Sequence, residues 1–387
     1  MDRYAAVYLA FTKGHGITHH LAQASIALCS ESRQADIDVY ILAPGEQRDP
    51  GIWARIDAAI PAHQIIRCAE EDLVSAIGAL LDQYEMIVTH AHGNSQLLAI
   101  RRAFRDRERL RLVLQVHSFR GTAWYGGLWA LCSSLLHCWA ADRVLYPTPS
   151  CFRSHTGSAF VDRLGLAQIV PAGMDQPASL ALSTDLKEAL GTKSGPRALY
   201  LASLNPGKGH KWVIEALVPV FRAEPSFQLV LAGDGPLASH LQRRVRAAGL
   251  SHQVLFLGHV PRSMVPGVIA QCDFALVPSR TETFGSCFVE PMRQGLPVVG
   301  TRTGIGEHLI QDHLTGFQVR HGDRAAVARA ARYLCANRSA CESMGDRARE
   351  VASLLSWSSV AGAYLAIYSQ LLSESRWDLV RETAKLG

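Results

Sequence analysis

The stretch Phe274-Ala-Leu-Val-Pro278-Ser-Arg-Thr-Glu282-Thr-Phe-Gly-Ser-Cys-Phe-Val-Glu290 begins with an apolar run and ends with two glutamates eight positions apart. A second apolar run, Pro297-Val-Val-Gly300, follows shortly afterwards. Short continuous runs of this kind predict parallel strands that are buried on both faces, and the segment between them predicts a connecting helix. The stretch therefore predicts a strand, a loop that carries Glu282, a helix that carries Glu290, and a second strand.

Similar apolar runs recur along the chain and alternate with helical stretches. In the first half they lie at Ala5–Ala10, Val39–Ala43, Gln64–Cys68, Met86–Thr89, Leu112–Val116, Arg143–Tyr146 and Gln168–Pro171. In the second half they lie at Ala198–Ala202, Gln228–Ala232, Val254–Gly258, Phe274–Pro278, Val298–Gly300 and Phe317–Val319. Most neighbouring runs leave room for a helix between them, which is typical of doubly wound sheets. We predict an α/β protein with two Rossmann-like domains, each built on a parallel sheet.

The boundary between the two domains is predicted where the strand pattern is interrupted. The segment 173–196 is rich in Ser, Ala, Gly and Pro and contains no strong strand. We predict an N-terminal domain at residues 1–175, a hinge at 176–195 and a C-terminal domain at 196–355. Helical spacing continues beyond Ser356 without a further strand, so we predict that residues 356–387 form a helical segment that packs back on the N-terminal domain.

Composition places the chain among ordinary globular proteins. The 387 residues are 48% hydrophobic and 19% charged, and the net charge of +5 does not by itself indicate a nucleic-acid partner. The nine cysteines contain no CxxC pair, which argues against a zinc site or a disulfide scaffold and favours a reducing compartment. The sequence after Met1 leads directly into a predicted strand, and we expect a cytoplasmic protein.

The loop before the predicted helix of the Glu282–Glu290 segment offers an anion site. Its backbone N–H groups, from Phe284 through Gly285 to Ser286, lie at a helix N-terminus, where phosphate binds well. A carboxylate is not suited to phosphate, so Glu282 and Glu290 are predicted to accept hydrogen bonds from hydroxyl groups. Hydroxyl groups on both sides of a phosphate describe a nucleotide sugar.

A second candidate loop is Leu201-Ala-Ser-Leu-Asn-Pro-Gly-Lys208-Gly-His210, which follows a predicted strand and opens an amphipathic helix. A lysine in a glycine-flanked loop at a helix start is well placed to neutralise a diphosphate. The alternative is a solvated loop lysine. The position of Lys208 directly after the first strand of the second domain favours a function.

Two candidates lie in the first domain. His117 follows the run Leu112–Val116 and is expected to face a ligand at the carboxyl end of the strand, although a lone histidine is more often structural. Gly14-His15-Gly16 follows the first strand and either lets a phosphate or sugar approach the backbone or makes a tight turn.

Other polar patterns carry less weight. Asp36-Ile-Asp38 has the D-x-D spacing of some metal-diphosphate sites, but it precedes a strand and is expected to be solvated. His19-His20 and the pair His90 and His92 lack a third ligand, so we expect no metal site and no bound cofactor.

These residues together resemble a family-4 retaining glycosyltransferase of the GT-B fold, a group 1 glycosyltransferase related to glycogen and sucrose synthases. The resemblance covers nearly the whole chain and rests on motifs in both halves. In the second half the motifs are Pro206-Gly-Lys-Gly209, Val230-Leu-Ala-Gly-Asp-Gly-Pro236, Glu282…Glu290, Gly295-Leu-Pro-Val-Val299 and Gly306-Glu307…Thr315-Gly316. In the first half they are Gln115-Val-His117, Ala141-Asp142 and Val170-Pro-Ala-Gly-Met-Asp175. The resemblance implies two domains that face each other across a cleft, the first for the acceptor and the second for the nucleotide sugar.

The resemblance also implies roles for individual residues. Glu282 matches the glutamate that binds donor sugar hydroxyls, and Glu290 matches the one that holds the ribose diol. Lys208 matches the basic residue on the leaving diphosphate, and His117 the histidine near the transferred sugar. Gly14 to Gly16 match the glycine loop that approaches the diphosphate.

One position departs from the family pattern. Ser203 stands where the family commonly has an arginine that shares the diphosphate with the lysine. Removing a charged donor from a buried diphosphate site costs on the order of a few kcal/mol unless it is replaced. Arg280 and Arg302 are the candidates to replace it.

The expected reaction is transfer of a hexose-type sugar from a nucleoside diphosphate to a hydroxyl acceptor, with retention and without a metal. The expected setting is bacterial polysaccharide, lipopolysaccharide or glycolipid synthesis. Two alternatives stay open: a nucleotide-sugar epimerase of the same fold, and a non-catalytic partner that binds nucleotide.

An arginine-rich segment raises the further possibility of peripheral contact with an anionic membrane and a lipid-linked acceptor. Six arginines lie close together at positions 101, 102, 105, 107, 109 and 111. An aromatic stretch follows, with Trp124, Tyr125 and Leu128-Trp-Ala-Leu131. A basic amphipathic helix beside exposed aromatic residues would bind an anionic leaflet, whereas a solvated arginine face beside a buried helix would not.

Overall fold

The computed structural model describes residues 4–9, 15–32, 37–44, 50–92, 94–105, 108–116, 126–155, 157–174 and 180–373. The chain divides into two compact units. The first contains the residues up to Gly173 together with those from Leu355 onward, and the second runs from Met174 to Leu354. Each unit is an α/β fold with its own parallel sheet, which confirms the predicted fold class.

The sheet of the first unit has seven strands, and all of its neighbouring strands are parallel. The strands are β1 (Tyr4–Leu9), β2 (Asp38–Pro44), β3 (Ile65–Cys68), β4 (Met86–Ala91), β5 (Leu110–Gln115), β6 (Arg143–Tyr146) and β7 (Ala167–Ile169). Their order across the sheet is β3-β2-β1-β4-β5-β6-β7. The winding therefore reverses between β1 and β4.

Strand β1 shows why the apolar runs in the sequence are continuous. Ala6 and Tyr8 belong to the hydrophobic cluster on one face of the sheet, whereas Ala5, Val7 and Leu9 belong to the cluster on the other. Successive side chains of a strand point to opposite faces. Because helices cover both faces, every position of the strand has to be apolar.

In the described residues, seven α-helices of the first unit precede the second unit. They are α1 (His15–Glu31), α2 (Pro50–Ala59), α3 (Leu73–Leu81), α4 (Asn94–Ala103), α5 (Gly126–Ala140), α6 (Pro149–Ser154) and α7 (Ser158–Arg163).

The last described helix, α16 (Trp357–Ser373), completes the first unit. It packs against α1 and β4, and its apolar side chains belong to the same hydrophobic cluster as those of α1. Two of its tyrosines are fully buried. The Tyr364 hydroxyl donates a hydrogen bond to Gln115 Oε1 over 3.0 Å, and the Tyr368 hydroxyl lies 2.6 Å from His90 Nδ1.

The stretch Arg338–Ser373 is long and apolar enough to cross a membrane by length and composition alone. In the structure it forms two separate helices, α15 (Arg338–Ser353) and α16, with Leu354, Leu355 and Ser356 between them. The apolar face of α16 is used in the core of the first unit.

The sheet of the second unit has six strands, which are also parallel. They are β8 (Arg197–Leu201), β9 (Gln228–Ala232), β10 (Val254–Gly258), β11 (Phe274–Val277), β12 (Val298–Thr301) and β13 (Gly316–Val319). Their order is β10-β9-β8-β11-β12-β13, so β8 and β11 are neighbours although two strands separate them in sequence. The winding reverses between these two strands.

The helices of the second unit cover both faces of this sheet and end with α15. The others are α8 (Thr184–Leu190), α9 (His210–Ala223), α10 (Ala238–Ala247), α11 (Val265–Ile269), α12 (Ser286–Arg293), α13 (Gly306–Leu309) and α14 (Arg324–Ala336). The amphipathic pattern predicted for α9 is confirmed, because Val213, Leu217 and Phe221 are buried in the core.

Among the described residues the arginine-rich segment is divided between the end of α4 and strand β5, and Arg107 lies outside the described residues. Arg101 lies on α4 and is buried, with its Nη2 3.0 Å from Asp142 Oδ2. Arg111 lies on β5, is fully buried, and donates from Nε to the Leu371 carbonyl over 3.2 Å. Two of the six arginines therefore stabilise the interior of the first unit. Arg102 and Arg105 are exposed.

Candidate functional site

The two predicted loops of the second unit meet because their strands are neighbours. Strands β8 and β11 pair in parallel, with Phe274 opposite Ala198 and Ala275 opposite Leu199. The loop after β8 carries Lys208, and the loop after β11 carries Glu282. The Arg280 backbone N–H donates to the Gly207 carbonyl over 2.8 Å and ties the loops together. In doubly wound sheets, ligands bind where the winding reverses, at the carboxyl ends of the strands.

At this edge Lys208 and Glu282 form an ion pair. Lys208 Nζ lies 2.6 Å from Glu282 Oε1, and the two side chains are 28% and 10% exposed. The Glu282 backbone N–H donates to Thr303 Oγ1 over 2.8 Å. Thr303 lies in the loop after β12, so three neighbouring strands contribute to the position of the carboxylate.

A tyrosine holds the Lys208 backbone, and a histidine packs against that tyrosine. The Tyr200 hydroxyl of β8 donates a hydrogen bond to the Lys208 carbonyl. His210, the first residue of α9, is buried and stacks on Tyr200 with ring centroids 4.4 Å apart. Burial and the nearby Lys208 lower the pKa of His210 to about 4, so its imidazole is neutral at neutral pH.

Gly209 permits the tight turn between Lys208 and His210. Its φ of +85° lies in the left-handed region, which favours glycine. A Cβ at this position would lie 2.5 Å from the Pro278 carbonyl oxygen at the end of β11. The close approach of the two loops therefore requires a glycine here.

Helix α12 begins directly after Gly285, which has a φ of +91°. Its first residue, Ser286, is exposed, and Phe284 is half-buried. The Phe284 carbonyl accepts a hydrogen bond from the Ile305 N–H over 2.6 Å, which fixes the loop before the helix. The first N–H groups of a helix have no partner within the helix and carry a partial positive charge. The N-terminus of α12 therefore follows closely after Glu282, the ion-pair partner of Lys208.

Glu290 lies in the second turn of α12 and is 17% exposed. One of its carboxylate oxygens lies 3.9 Å from Arg262 Nη1, which belongs to the 3₁₀ turn Arg262–Met264. Burial raises the pKa of the Glu290 carboxyl, and the positive charge of Arg262 opposes this shift. A mostly buried carboxylate with a distant cation such as Arg262 as its ion-pair partner among the described residues is suited to accept hydrogen bonds from a ligand's hydroxyl groups.

Ser203 lies in the same loop as Lys208 and is exposed. Its hydroxyl accepts a hydrogen bond from Asn205 Nδ2 over 3.0 Å. Of the first-unit candidates, Gly16 lies in the first turn of α1, and Gly14 and His117 fall outside the described residues. Of the second-unit candidates, the structure places Lys208 and Glu282 in direct contact, with Gly285 beside Glu282. Ser203 shares the loop of Lys208, and the remaining candidates, Phe284, Ser286 and Glu290, lie in the loop before α12 and on α12 itself.

Sequence patterns did not identify Tyr200, His210, Arg262 and Thr303. Thr303 follows the strand next to β11, so the strand order, once known, would have indicated it. Tyr200, His210 and Arg262 carry no motif that the sequence alone makes visible.

The discounted polar patterns of the first unit have structural partners. Asp38 begins β2, and its carboxylate accepts a hydrogen bond from the Tyr84 hydroxyl over 2.7 Å. His90 contacts Tyr368 and stacks on His92, with ring centroids 4.9 Å apart. Within the described ranges, no three His, Cys, Asp or Glu side chains come together as a candidate metal site.

Residues 183–351 match the family model "Glycosyl transferases group 1". Among curated proteins, the chain is 29% identical over 192 residues to the alpha-D-kanosaminyltransferase of Streptomyces kanamyceticus. The aligned stretch covers 49% of this chain and 50% of the relative. It is 31% identical over 236 residues to the GDP-mannose-dependent alpha-(1-6)-phosphatidylinositol monomannoside mannosyltransferase of Mycolicibacterium smegmatis. That aligned stretch covers 58% of this chain and 60% of the relative. The chain thus spans about half of the length of the curated relatives that it matches.

Solved structures match over nearly the full chain. Anabaena HepE in complex with UDP and glucose superposes with a TM-score of 0.72 at 18% identity, covering 95% of this chain and 99% of HepE. Sucrose-phosphate synthase from Thermosynechococcus elongatus superposes with a TM-score of 0.67 at 19% identity, covering 97% and 100%. At such identities the likeness shows the fold alone. The chain has the GT-B fold, and its second unit is similar to the group 1 glycosyl transferases over residues 183–351.

Proposed function

We propose that this protein transfers a hexose-type sugar from a nucleoside-diphosphate sugar to a hydroxyl acceptor, with retention of the anomeric configuration. The observation that carries the proposal is the Lys208–Glu282 pair, 2.6 Å apart, at the carboxyl ends of neighbouring strands where the winding reverses. A cation, a carboxylate and a helix N-terminus at one edge suit a ligand that has both phosphates and hydroxyl groups.

Each side chain has a distinct task in this proposal. Lys208 and the N-terminus of α12 bind the diphosphate and stabilise the charge that develops as it leaves. Glu282 accepts hydrogen bonds from the sugar hydroxyl groups, and Glu290 from the ribose diol. The Lys208–Glu282 ion pair is then exchanged for interactions with the donor, because each of its partners binds a different part of the same molecule.

The proposed reaction breaks the bond between the anomeric carbon and the diphosphate oxygen and forms a bond from the acceptor oxygen on the same face. The acceptor proton passes to the departing diphosphate. This route needs no enzyme nucleophile and no metal, since the leaving charge is met by Lys208 and the helix N-terminus.

The names of related proteins agree with a nucleotide-sugar donor. HepE was crystallised with UDP and with UDP-glucose, and the mycobacterial relative is named as dependent on GDP-mannose. We infer that this chain takes a UDP- or GDP-linked hexose in the cytoplasm, and that its product belongs to a surface polysaccharide, lipopolysaccharide or glycolipid.

A thermal-shift screen over UDP- and GDP-sugars tests the proposal. We expect one nucleotide sugar to stabilise the parent protein and to stabilise Lys208→Ala and Glu282→Gln much less. Incubation of the stabilising donor with hydroxyl acceptors, followed by NMR of the product, should then show the donor's own anomeric configuration. Isomerised donor without acceptor consumption would support an epimerase instead, and binding without turnover would support a non-catalytic partner.

A further inference from the structure

Arg262 and Glu290 form an unusually long ion pair. Arg262 Nη1 lies 3.9 Å from Glu290 Oε1. The other ion pairs among the described residues of the second unit are 2.5 to 2.9 Å long. Hydrogen bonds between a charged nitrogen and a carboxylate oxygen are about 2.7–2.9 Å long. The two side chains therefore attract each other across a gap, without a direct hydrogen bond.

Neither side chain of this pair is bound elsewhere in the described part of the chain. Glu290 is 17% exposed, and no N–H or O–H group within the described ranges donates a hydrogen bond to its carboxylate. The Arg262 side chain is 47% exposed, and its guanidinium donates to no acceptor within the same ranges. A carboxylate that is largely removed from water needs hydrogen bonds to offset the loss of hydration. The pair is therefore suited to bind a polar group of a ligand.

The backbone holds both members of the pair in place. Arg262 begins the 3₁₀ turn Arg262–Met264, and the Leu180 N–H donates to the Ser263 carbonyl of this turn over 2.9 Å. Glu290 lies within α12. Both side chains are thus presented by backbone that is hydrogen-bonded within the second unit.

We propose that Arg262 and Glu290 bind one hydroxyl group of the donor's ribose between them. This inference rests on the proposed function, which assigns the ribose diol to Glu290. A hydroxyl group can donate a hydrogen bond to the carboxylate and accept one from the guanidinium at the same time. One oxygen about 2.8 Å from each group can bridge the two atoms that are 3.9 Å apart. A phosphate would instead be repelled by the carboxylate.

This arrangement makes Arg262 a specificity-determining residue for the nucleotide. A ligand that lacks the bridging hydroxyl would cover the two charged groups and give them no hydrogen bond in return, which costs more than the loss of a neutral hydrogen bond. A site that is built to bond a hydroxyl group rejects the analogue without it. The donor class is therefore a nucleoside-diphosphate sugar whose ribose diol is intact.

Calorimetry of the full chain with UDP, GDP and their 2′-deoxy and 3′-deoxy analogues tests this inference. We expect the parent to bind UDP or GDP about tenfold or more tightly than at least one of its two deoxy analogues. Arg262→Gln should bind that ribonucleotide about tenfold more weakly and lose most of the preference for it. Arg262→Lys, which keeps a positive charge and an N–H donor, should retain part of the preference.

Arg244→Gln is the matched control, because Arg244 is 46% exposed and pairs with Glu215 over 2.8 Å. This variant should keep the affinity and the preference of the parent. Melting temperatures show whether each variant is folded, and we expect Arg262→Gln to fold because the arginine is half exposed. The comparison of ribonucleotide with deoxy analogue in the parent needs no variant.

The possible results separate this inference from the proposed function. A parent that binds neither UDP nor GDP would overturn both. A parent that binds one of them and both of its deoxy analogues with equal affinity would overturn only the role of the hydroxyl group. If Arg262→Gln weakens the ribonucleotide and the deoxy analogues by the same factor, Arg262 contacts the base or the phosphates instead, and the inference is again overturned.

Discussion

Lys208 and Glu282 are 74 positions apart in sequence, yet Lys208 Nζ lies 2.6 Å from Glu282 Oε1. Because the pair is partly exposed, we expect it to contribute no more than about 1 kcal/mol to stability. Lys208→Gln and Glu282→Gln should therefore melt close to the parent. Both should lower sugar transfer about 100-fold or more, since removing a charged group that stabilises the transition state costs about 3 kcal/mol. Steady-state kinetics and thermal unfolding check this, and parental rates in both variants would refute the assignment.

Glu290 should lower the stability of the fold near neutral pH while it contributes to nucleotide binding. Burial raises the pKa of its carboxyl despite Arg262. A carboxyl whose pKa is raised in the folded chain stabilises the fold below its unfolded pKa, and this contribution is lost as the pH rises through the folded pKa. The side chain of Glu290→Gln cannot ionise, so this variant keeps its stability as the pH rises. Near neutral pH it should have a higher melting temperature than the parent and bind nucleotide more weakly. The difference in melting temperature should shrink toward about pH 4. A difference that grows on acidification would contradict the pKa shift.

His210 should make the second unit sensitive to acid. Its pKa is lowered from 6.5 to about 4 by burial and by Lys208. Between these values the unfolded chain binds the proton more readily than the folded one, so stability falls as the pH falls. The full loss is on the order of 3 kcal/mol. His210→Phe keeps the ring that stacks on Tyr200 but cannot be protonated, and it should lose less stability on acidification. Denaturant unfolding over a pH series measures this, with the exposed His252→Gln as control.

The glycines on either side of Lys208 offer a matched comparison. Gly207 and Gly209 have φ values of +93° and +85°, so alanine costs each about 1–2 kcal/mol. A Cβ at Gly209 would also lie 2.5 Å from the Pro278 carbonyl oxygen, whereas one at Gly207 meets nothing within 4 Å. Gly209→Ala should therefore destabilise by a further 1–3 kcal/mol or so and weaken nucleotide binding. Equal effects in chemical unfolding would show that the close approach of the loops is not required.

Arg280 is predicted to replace the family arginine that is absent at Ser203. Its backbone is bonded to Gly207, next to Lys208, and its exposed guanidinium has no ion-pair partner among the described residues. Arg280→Gln should weaken binding of a nucleoside diphosphate about tenfold, or about 1.4 kcal/mol, and Arg280→Lys much less.

Calorimetry on these variants measures the loss at Arg280, and Ser203→Arg in the Arg280→Gln background should restore most of it. Arg222→Gln, at the far end of α9, is the control. A larger loss in Arg302→Gln than in Arg280→Gln would assign the role to Arg302.

Strands were predictable because a strand covered on both faces has to be apolar at every position, as in β1 and β11. The loops that carry Lys208 and Glu282 were predictable because they follow such strands. The ion pair between them depends on the pairing of β8 with β11, in which Phe274 lies opposite Ala198. That pairing depends on the order of all the strands in the sheet. Tyr200 and His210 are single polar residues without a motif, and their stacking is visible only in the folded chain.

Helix α5 shows where pattern analysis fails in principle. A hydrophobic pattern predicts that Leu135 and Trp139 are buried and Ser134 is exposed, and the structure has the reverse. The hydrogen bond between His137 and Asn94 accounts for part of this, because it gives a polar group a partner inside the unit. The arginines at 101 and 111 are similar, since their burial follows from partners that are distant in sequence.

The position of α16 fixes the order in which the chain is assembled during translation. The strands of the first unit leave the ribosome before roughly 180 further residues, which takes on the order of 10–40 s. During that interval Gln115 lacks its hydrogen-bond partner Tyr364. The hydrophobic cluster that contains Val39 and Leu28 also lacks the side chains of α16. The second unit has all of its own strands by Leu354 and can reach its native state first. Nascent chains of this protein therefore carry an unfinished hydrophobic surface until α16 emerges.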